Sequence, residues 1–116
     1  MSDLSGSTNL ESVVKAEIIE LEEEFLARNT QAFNESVTDA IERGRRLIVV
    51  DCHRCKSVDS VSLESLLWAI EEIQDRGGLM KIACLNDTMK KVFEITQFDR
   101  IFEVYDDVLY AVKAFA

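Results

Sequence analysis

The chain alternates between short apolar runs typical of β-strands and longer segments with the period of α-helices. Residues 16–22 place acids around Ile19 and Leu21, which indicates a half-exposed strand. Residues 47–50 form a continuous apolar run, as in strands buried on both faces. Similar patterns predict two more strands at about 79–85 and 101–104.

Four helices are predicted between and after these strands, at about 30–43, 60–76, 87–96 and 106–115. In the second helix the apolar positions expected to be buried are Leu63, Leu66, Leu67 and Ile70. In the last helix the expected inward positions are Leu109, Val112 and Phe115. The first three helices are each preceded by capping residues, which are Asn29 or Thr30, Asp59 or Ser60, and Asn86 or Asp87.

This order of elements predicts an α/β fold. We expect a mixed, mostly parallel central sheet of four or five strands with four helices packed on it. A length of 116 residues corresponds to one domain, so residues 1–116 are expected to fold as a single unit with a flexible N-terminus at 1–12.

The charge balance narrows the range of partners. The formal net charge is −9, from 22 acids and 13 bases, which disfavours binding to a phosphate backbone. The short basic cluster of Arg43, Arg45 and Arg46 is expected to be a solvated helix end. No apolar run approaches the roughly 20 residues of a membrane span, and the first residues do not resemble a signal peptide. We therefore expect a cytoplasmic protein that neither binds nucleic acid nor inserts into a membrane.

The candidate chemistry is sparse. Neither of the glycine-rich phosphate-binding loops occurs, and His53 is the single histidine. Cys52 and Cys55 form a CxxC motif, but the predicted helix starts several residues later, so no helix N-terminus would activate Cys52. Zinc binding would have to recruit His53 or Cys84 from unfavourable positions. Cys55 and Cys84 are therefore interpreted as small core residues, and no enzyme activity, metal or cofactor is expected.

A second polar cluster lies where the buried strand at 47–50 gives way to the helix at 60–76. The segment from Asp59 to Ser62 holds an acid and two hydroxyls at the carboxyl end of a predicted parallel strand, where open α/β sheets place their sites. Capping the helix needs only one such residue. The cluster is therefore a candidate binding site.

Residues 50–78, VDCHRCKSVDSVSLESLLWAIEEIQDRGG, resemble the core of a STAS domain, the fold of bacterial anti-sigma factor antagonists. That family typically reads strand, then Asp-Ser-Ser-Gly-Leu, then a helix ending in Arg-Gly-Gly. Residues 20–25, 86–96 and 98–102 resemble its early strand, its third helix and the segment before its last strand. The resemblance implies a regulator that acts by binding a kinase-like anti-sigma factor.

The chain departs from the family pattern at the position that matters most for regulation. In the family, an anti-sigma kinase phosphorylates the second serine of Asp-Ser-Ser-Gly, and that position is Val61 here. Ser62 stands where the family has glycine, Leu26 replaces an acid near the phosphorylated serine, and Gln97 replaces a glycine after Thr96. Binding is therefore expected to be constitutive, or controlled through Ser62, which we expect to be exposed, or Ser60.

The predicted topology places the partner surface at one edge of the domain, formed by residues 55–62, the loop after Phe25 and residues 86–89, because these lie at adjacent strand and helix ends. The expected contact residues are Asp59, Ser60, Val61, Ser62, Asn86, Asp87 and Met89, with the loop after Phe25 beside them. Trp68 is a competing anchor, although its position favours the flank of the core.

Two other functions remain open. The chain could be a STAS accessory subunit that contacts a transporter ATPase without a phosphorylation switch, or an enzyme that uses the CxxC motif. A homodimer also remains open.

Overall fold

The computed structural model describes residues 15–116, so the predicted flexible segment at 1–12 lies outside the described residues. The elements follow one another as β1 (Glu17–Glu20), β2 (Glu24–Phe25), α1 (Thr30–Glu42), β3 (Leu47–Asp51), β4 (Ser57–Val58), α2 (Ser60–Asp75), β5 (Leu79–Ala83), α3 (Asp87–Ile95), β6 (Glu103–Tyr105) and α4 (Val108–Lys113). Short 3-10 turns at Ala27–Asn29 and Phe98–Arg100 precede α1 and follow α3.

Four of the strands form the main sheet in the order β1-β3-β5-β6, and every neighbouring pair in it is parallel. This arrangement confirms the predicted α/β class. The remaining strands, β2 and β4, form a separate parallel pair of two residues each. That pair was not predicted, because two residues are too few to show a period.

The main sheet carries unequal layers on its two faces. Helices α1, α2 and α3 pack on one face, where a large core forms around Ile48, Val50 and Ile82. Helix α4 covers the other face, where Ala111 and Val112 pack on Val49 and Ala83.

The thinner face contains a buried lysine. The side chain of Lys81 is 7% exposed and its ammonium group pairs with Glu103. It also lies 5.3 Å from the ring centroid of Tyr105 and 5.0 Å from that of Phe115. A buried ammonium group needs such compensation, and the two aromatic faces add cation–π attraction to the ion pair.

The buried faces of two helices differ from the predicted ones. In α2, Leu66 and Ile70 are buried as expected, whereas Leu63 and Leu67 are only partly buried against the core. In α4, the prediction for Leu109 is wrong, since its side chain is 57% exposed. The small Ala111 allows α4 to lie close to the sheet, and this turns Leu109 outward.

Trp68 lies on the flank of the core. Its side chain is partly buried and packs against the larger cluster, in a groove between α1 and α2 that Asn34 and Thr38 also line. Within residues 15–116, no helix is both long and apolar enough to cross a bilayer.

Candidate functional site

The candidate site lies where β4 leads into α2. Three segments meet there: the turn after β2, the loop that runs through β4, and the first turn of α3. Side-chain hydrogen bonds from Asp59 and Asn86 join them.

Asp59 caps α2 and ties it to the turn after β2. One carboxylate oxygen accepts from the backbone N–H of Ser62 at 2.8 Å, and the other accepts from the N–H of Ala27 at 2.8 Å. These two bonds, the one from Ala27 first, lower the pKa of the Asp59 carboxyl below its usual range, because they stabilise the ionised form. The prediction of an N-cap at this position is confirmed.

Ser62 is part of the same cap and is not a surface residue. Its hydroxyl accepts from the backbone N–H of Asp59 and donates to the carbonyl of Asp59, both at 3.0 Å. Its exposed fraction is 0%. The expectation that Ser62 is exposed is therefore wrong, because the third helical position turns its side chain back onto the capping residue.

The exposed side chains at the start of α2 are Ser60 and Val61. Val61 is 44% exposed, which leaves an apolar group in solvent on a rigidly capped helix turn. This is the position that the resemblance aligns with the phosphorylated serine of the family.

Asn86 links the start of α3 to the loop before β4. Its amide nitrogen donates to the carbonyl of Cys55 at 2.9 Å, and its amide oxygen accepts from the backbone N–H of Met89 at 2.8 Å. Asn86 and Asp87 are exposed beside this link, as a contact role requires. Met89 is 1% exposed, so the expectation that its side chain contacts a partner is wrong. It packs with Phe93 in the core.

Asn29 fixes the turn after β2 instead of capping α1. Its side-chain oxygen accepts from the backbone N–H of Leu26 at 2.7 Å, and its amide nitrogen donates to the carbonyl of Glu24 at 2.6 Å. The predicted capping bond from Asn29 to α1 is therefore absent. These bonds hold the half-buried Leu26 next to Asp59. The pair of hydrogen bonds that Asp59 accepts from Ala27 and Ser62 is called the Asp59 clamp below.

The cysteines lie behind the site and are buried to different extents. Cys52 and Cys55 are 1% and 0% exposed, and burial raises the pKa of both thiols. Their thiols contact the carbonyl groups of Val50 and Ser57, respectively. Protonated, buried thiols are poor nucleophiles, which supports the interpretation of Cys55 as a core residue. Cys84 is only partly buried, so the same interpretation holds less fully for it.

Comparison with known proteins places this geometry in a family. The family model of the STAS domain matches residues 8–111. The chain is 26% identical over 91 residues to a Thermotoga maritima protein named for an inferred role as an anti-sigma factor antagonist. That alignment covers 78% of this chain and 80% of the relative.

Solved structures show the same fold. The crystal structure of a Thermotoga maritima protein, named for the same inferred role, superposes with a TM-score of 0.75 at 24% identity, covering 84% of this chain and 86% of that one. The phosphorylated form of the Bacillus cell fate determinant SpoIIAA superposes with a TM-score of 0.70 at 18% identity, covering 89% and 93%. The family match over most of the chain and the shared fold agree, and the chain belongs to the STAS domain family.

Proposed function

We propose that this chain is a non-enzymatic regulator of the anti-sigma factor antagonist type, which docks onto a kinase-like anti-sigma factor. The docking edge consists of Asp59, Ser60, Val61, Asn86 and Asp87. Ser62 and Met89 support this edge from within and do not touch the partner. The observation that carries the proposal is the exposed Val61 on the clamped first turn of α2.

Val61 contributes to docking because its apolar side chain leaves water when a partner covers it. Burying the exposed part of one valine is worth about 1 kcal/mol, close to the 1.4 kcal/mol that changes a dissociation constant tenfold. The Asp59 clamp holds the helix turn in place before docking, so little conformational entropy is lost on binding.

Regulation at this edge differs from that of relatives with a serine at this position. Val61 has no hydroxyl group to phosphorylate, so docking through it is constitutive. If a kinase modifies this edge, Ser60 is the acceptor, because its side chain is exposed. The buried hydroxyl of Ser62 would first have to break its bonds to Asp59.

The docking role of Val61 is tested by adding a charge there. Affinity capture from the source cell first identifies the partner, and a kinase-like ATPase is expected. Val61→Asp should weaken binding to that partner at least tenfold, because an interface must desolvate the carboxylate, while an acid in the first helical turn leaves the fold intact. Gln74→Glu adds the same charge at the exposed far end of α2 and should leave affinity unchanged. Equal affinity of Val61→Asp and the parent chain would contradict the proposed edge.

The lost switch is tested by restoring it. Incubation of the parent chain with the partner kinase and ATP should add no phosphate by intact mass, whereas Val61→Ser should gain one. If Val61→Ser stays unmodified by a kinase that binds it, the alignment of Val61 with the phosphorylated serine is wrong. Recovery of a transporter ATPase in the capture experiment would instead favour an accessory subunit.

A further inference from the structure

Three metal-ligating side chains converge at the carboxyl ends of β1 and β3. Glu20 ends β1, Asp51 ends β3, and the two residues are direct neighbours in the sheet register. His53 follows two residues later. One ligand atom from each of the three lies within 4.8 Å of the other two.

Neighbouring carboxylates on adjacent strands repel each other, and a cation bound between them would relieve this repulsion. Glu20 and Asp51 both lie on the thinner face of the sheet. The side chain of Asp51 is only 12% exposed, so water screens the repulsion poorly. In the structure, Nδ1 of His53 lies 3.0 Å from both oxygens of Asp51 and 3.5 Å from Oε2 of Glu20. Arg54 reaches Glu20 alone, at 3.3 Å.

We propose that Glu20, Asp51 and His53 form a binding site for a divalent transition-metal cation of the Zn²⁺ class. Zinc bonds to imidazole nitrogen and carboxylate oxygen are about 2.0–2.2 Å long, so two ligands in a tetrahedral site lie roughly 3.3–3.5 Å apart. The observed separations of 3.0 and 3.5 Å bracket that spacing. A small outward shift of the imidazole ring therefore makes room for the ion.

The charges and protons of this site balance on metal binding. Two carboxylates neutralise the two charges of the ion, and the imidazole is neutral when its Nδ1 lone pair binds metal. Any proton on Nδ1 passes to solvent or to Nε2, and Arg54 leaves Glu20 for water. The exposed fractions of His53 and Glu20, 51% and 46%, leave the fourth metal position to a water molecule.

The site uses different residues from those of the CxxC motif. Cys52 and Cys55 are buried, and the high pKa values of their thiols disfavour metal-binding thiolates. Burial, and after it the charge of the neighbouring Asp51, also raises the pKa of the Cys84 thiol. Cys84 is partly exposed, unlike the other two cysteines, and therefore competes as a ligand that a variant can remove.

The proposed metal ligands are different residues from those of the docking edge. Glu20 and Asp51 lie on the face of the sheet that α4 covers, as do Ile18 and Val49 two residues before them. Val61 lies on a helix that packs on the opposite face. Each proposal is tested with its own variants, so either proposal can fail alone.

The proposal is tested with Zn²⁺ as the probe on the tag-free chain. Because His53 is the single histidine, its ring resonances report on this site alone. Titration with ZnCl₂ should shift these resonances, and calorimetry should give one ion per chain. His53→Gln and Glu20→Gln should each weaken binding at least tenfold. Glu22→Gln makes the same chemical change at an exposed position outside the cluster and should have no effect.

Two outcomes would overturn the proposal. If the His53 resonances stay unchanged at about 1 mM Zn²⁺, where even a millimolar site would be half filled, the cluster is a histidine–carboxylate pair and no metal site. If binding survives His53→Gln and disappears in Cys84→Ser, the ion binds a thiol and the assigned ligands are wrong.

Discussion

At the residue scale, Gln97 has a backbone conformation that its side chain disfavours. With φ of 64° and ψ of 20°, it occupies the left-handed region directly before the turn at Phe98–Arg100. For a residue with a Cβ atom this conformation costs about 1–2 kcal/mol. The resemblance to the STAS family implies a glycine at this position, and glycine adopts this conformation without that cost.

Replacing Gln97 by glycine should stabilise the chain. Relief of the left-handed strain outweighs the extra freedom that glycine gives the unfolded chain, so the free energy of unfolding should rise by about 0.5–1 kcal/mol. Urea denaturation measures this as a higher midpoint with an unchanged slope. Gln97→Ala keeps the Cβ atom and should show no such gain; an equal gain from alanine would mean that the side chain, not the backbone, carries the strain.

The sequence predicted the residues of the site correctly only where their role is to cap a helix. Asp59 and Asn86 were identified as caps because acids and amides before apolar helices bond the first N–H groups. Ser62 and Met89 were misplaced on the surface. The orientation of a third helical position depends on which side of the helix faces the sheet, and that is a property of tertiary packing. The spacing Asp59-x-x-Ser62 was a usable signal, since a polar side chain three residues after the cap can close a capping box.

At the element scale, the start of α2 depends on the charge of Asp59. Its pKa is lowered in the folded chain, so the unfolded chain takes up the proton more readily. The stabilisation is therefore complete above the ordinary aspartate pKa of about 3.9 and is lost as the pH falls through the lower folded value.

Asp59→Asn should reveal this dependence. The parent chain should have the higher urea midpoint near pH 6, and the gap between the two should close toward about pH 3. Ser60→Ala is the control, because it changes an exposed residue of the same turn and keeps the N–H groups of Ala27 and Ser62 that donate to Asp59, so its pH dependence should follow that of the parent. If the difference in urea midpoint between Asp59→Asn and the parent stays constant with pH, the charge of the Asp59 carboxylate does not stabilise the fold.

Elements were predicted well where their pattern was long. Helices α1, α2 and α3 were found within one or two residues of their ends because each spans at least two turns with an apolar stripe. Strands β2 and β4 were missed because two residues show no alternation. In α4, Leu109 and Val112 had the right spacing, but close packing of Ala111 on Val49 and Ala83 decided which side faces inward.

At the scale of the whole molecule, the surplus of acids acts against the folded state. A formal net charge of −9 produces self-repulsion in a compact chain. Surface pairs such as Arg43 with Glu17, at 2.6 Å, offset only a small part of it, since exposed ion pairs contribute little.

Added salt should therefore stabilise the chain. Raising NaCl from about 10 to about 150 mM shortens the screening length from roughly 30 to 8 Å, so the urea midpoint should increase. A variant with Glu71→Gln and Glu94→Gln removes two exposed negative charges and should respond less to salt. A midpoint that falls with salt would mean that attractive pairs outweigh the net repulsion.

The position of Trp68 gives this molecule a built-in optical reporter. It is the single tryptophan, and it lies partly buried against the core between α1 and α2, two helical turns after Val61. Its emission maximum should move to longer wavelength when urea opens the core to water. Fluorescence of the unlabelled chain can thus distinguish a variant that has lost its partner from one that has lost its fold.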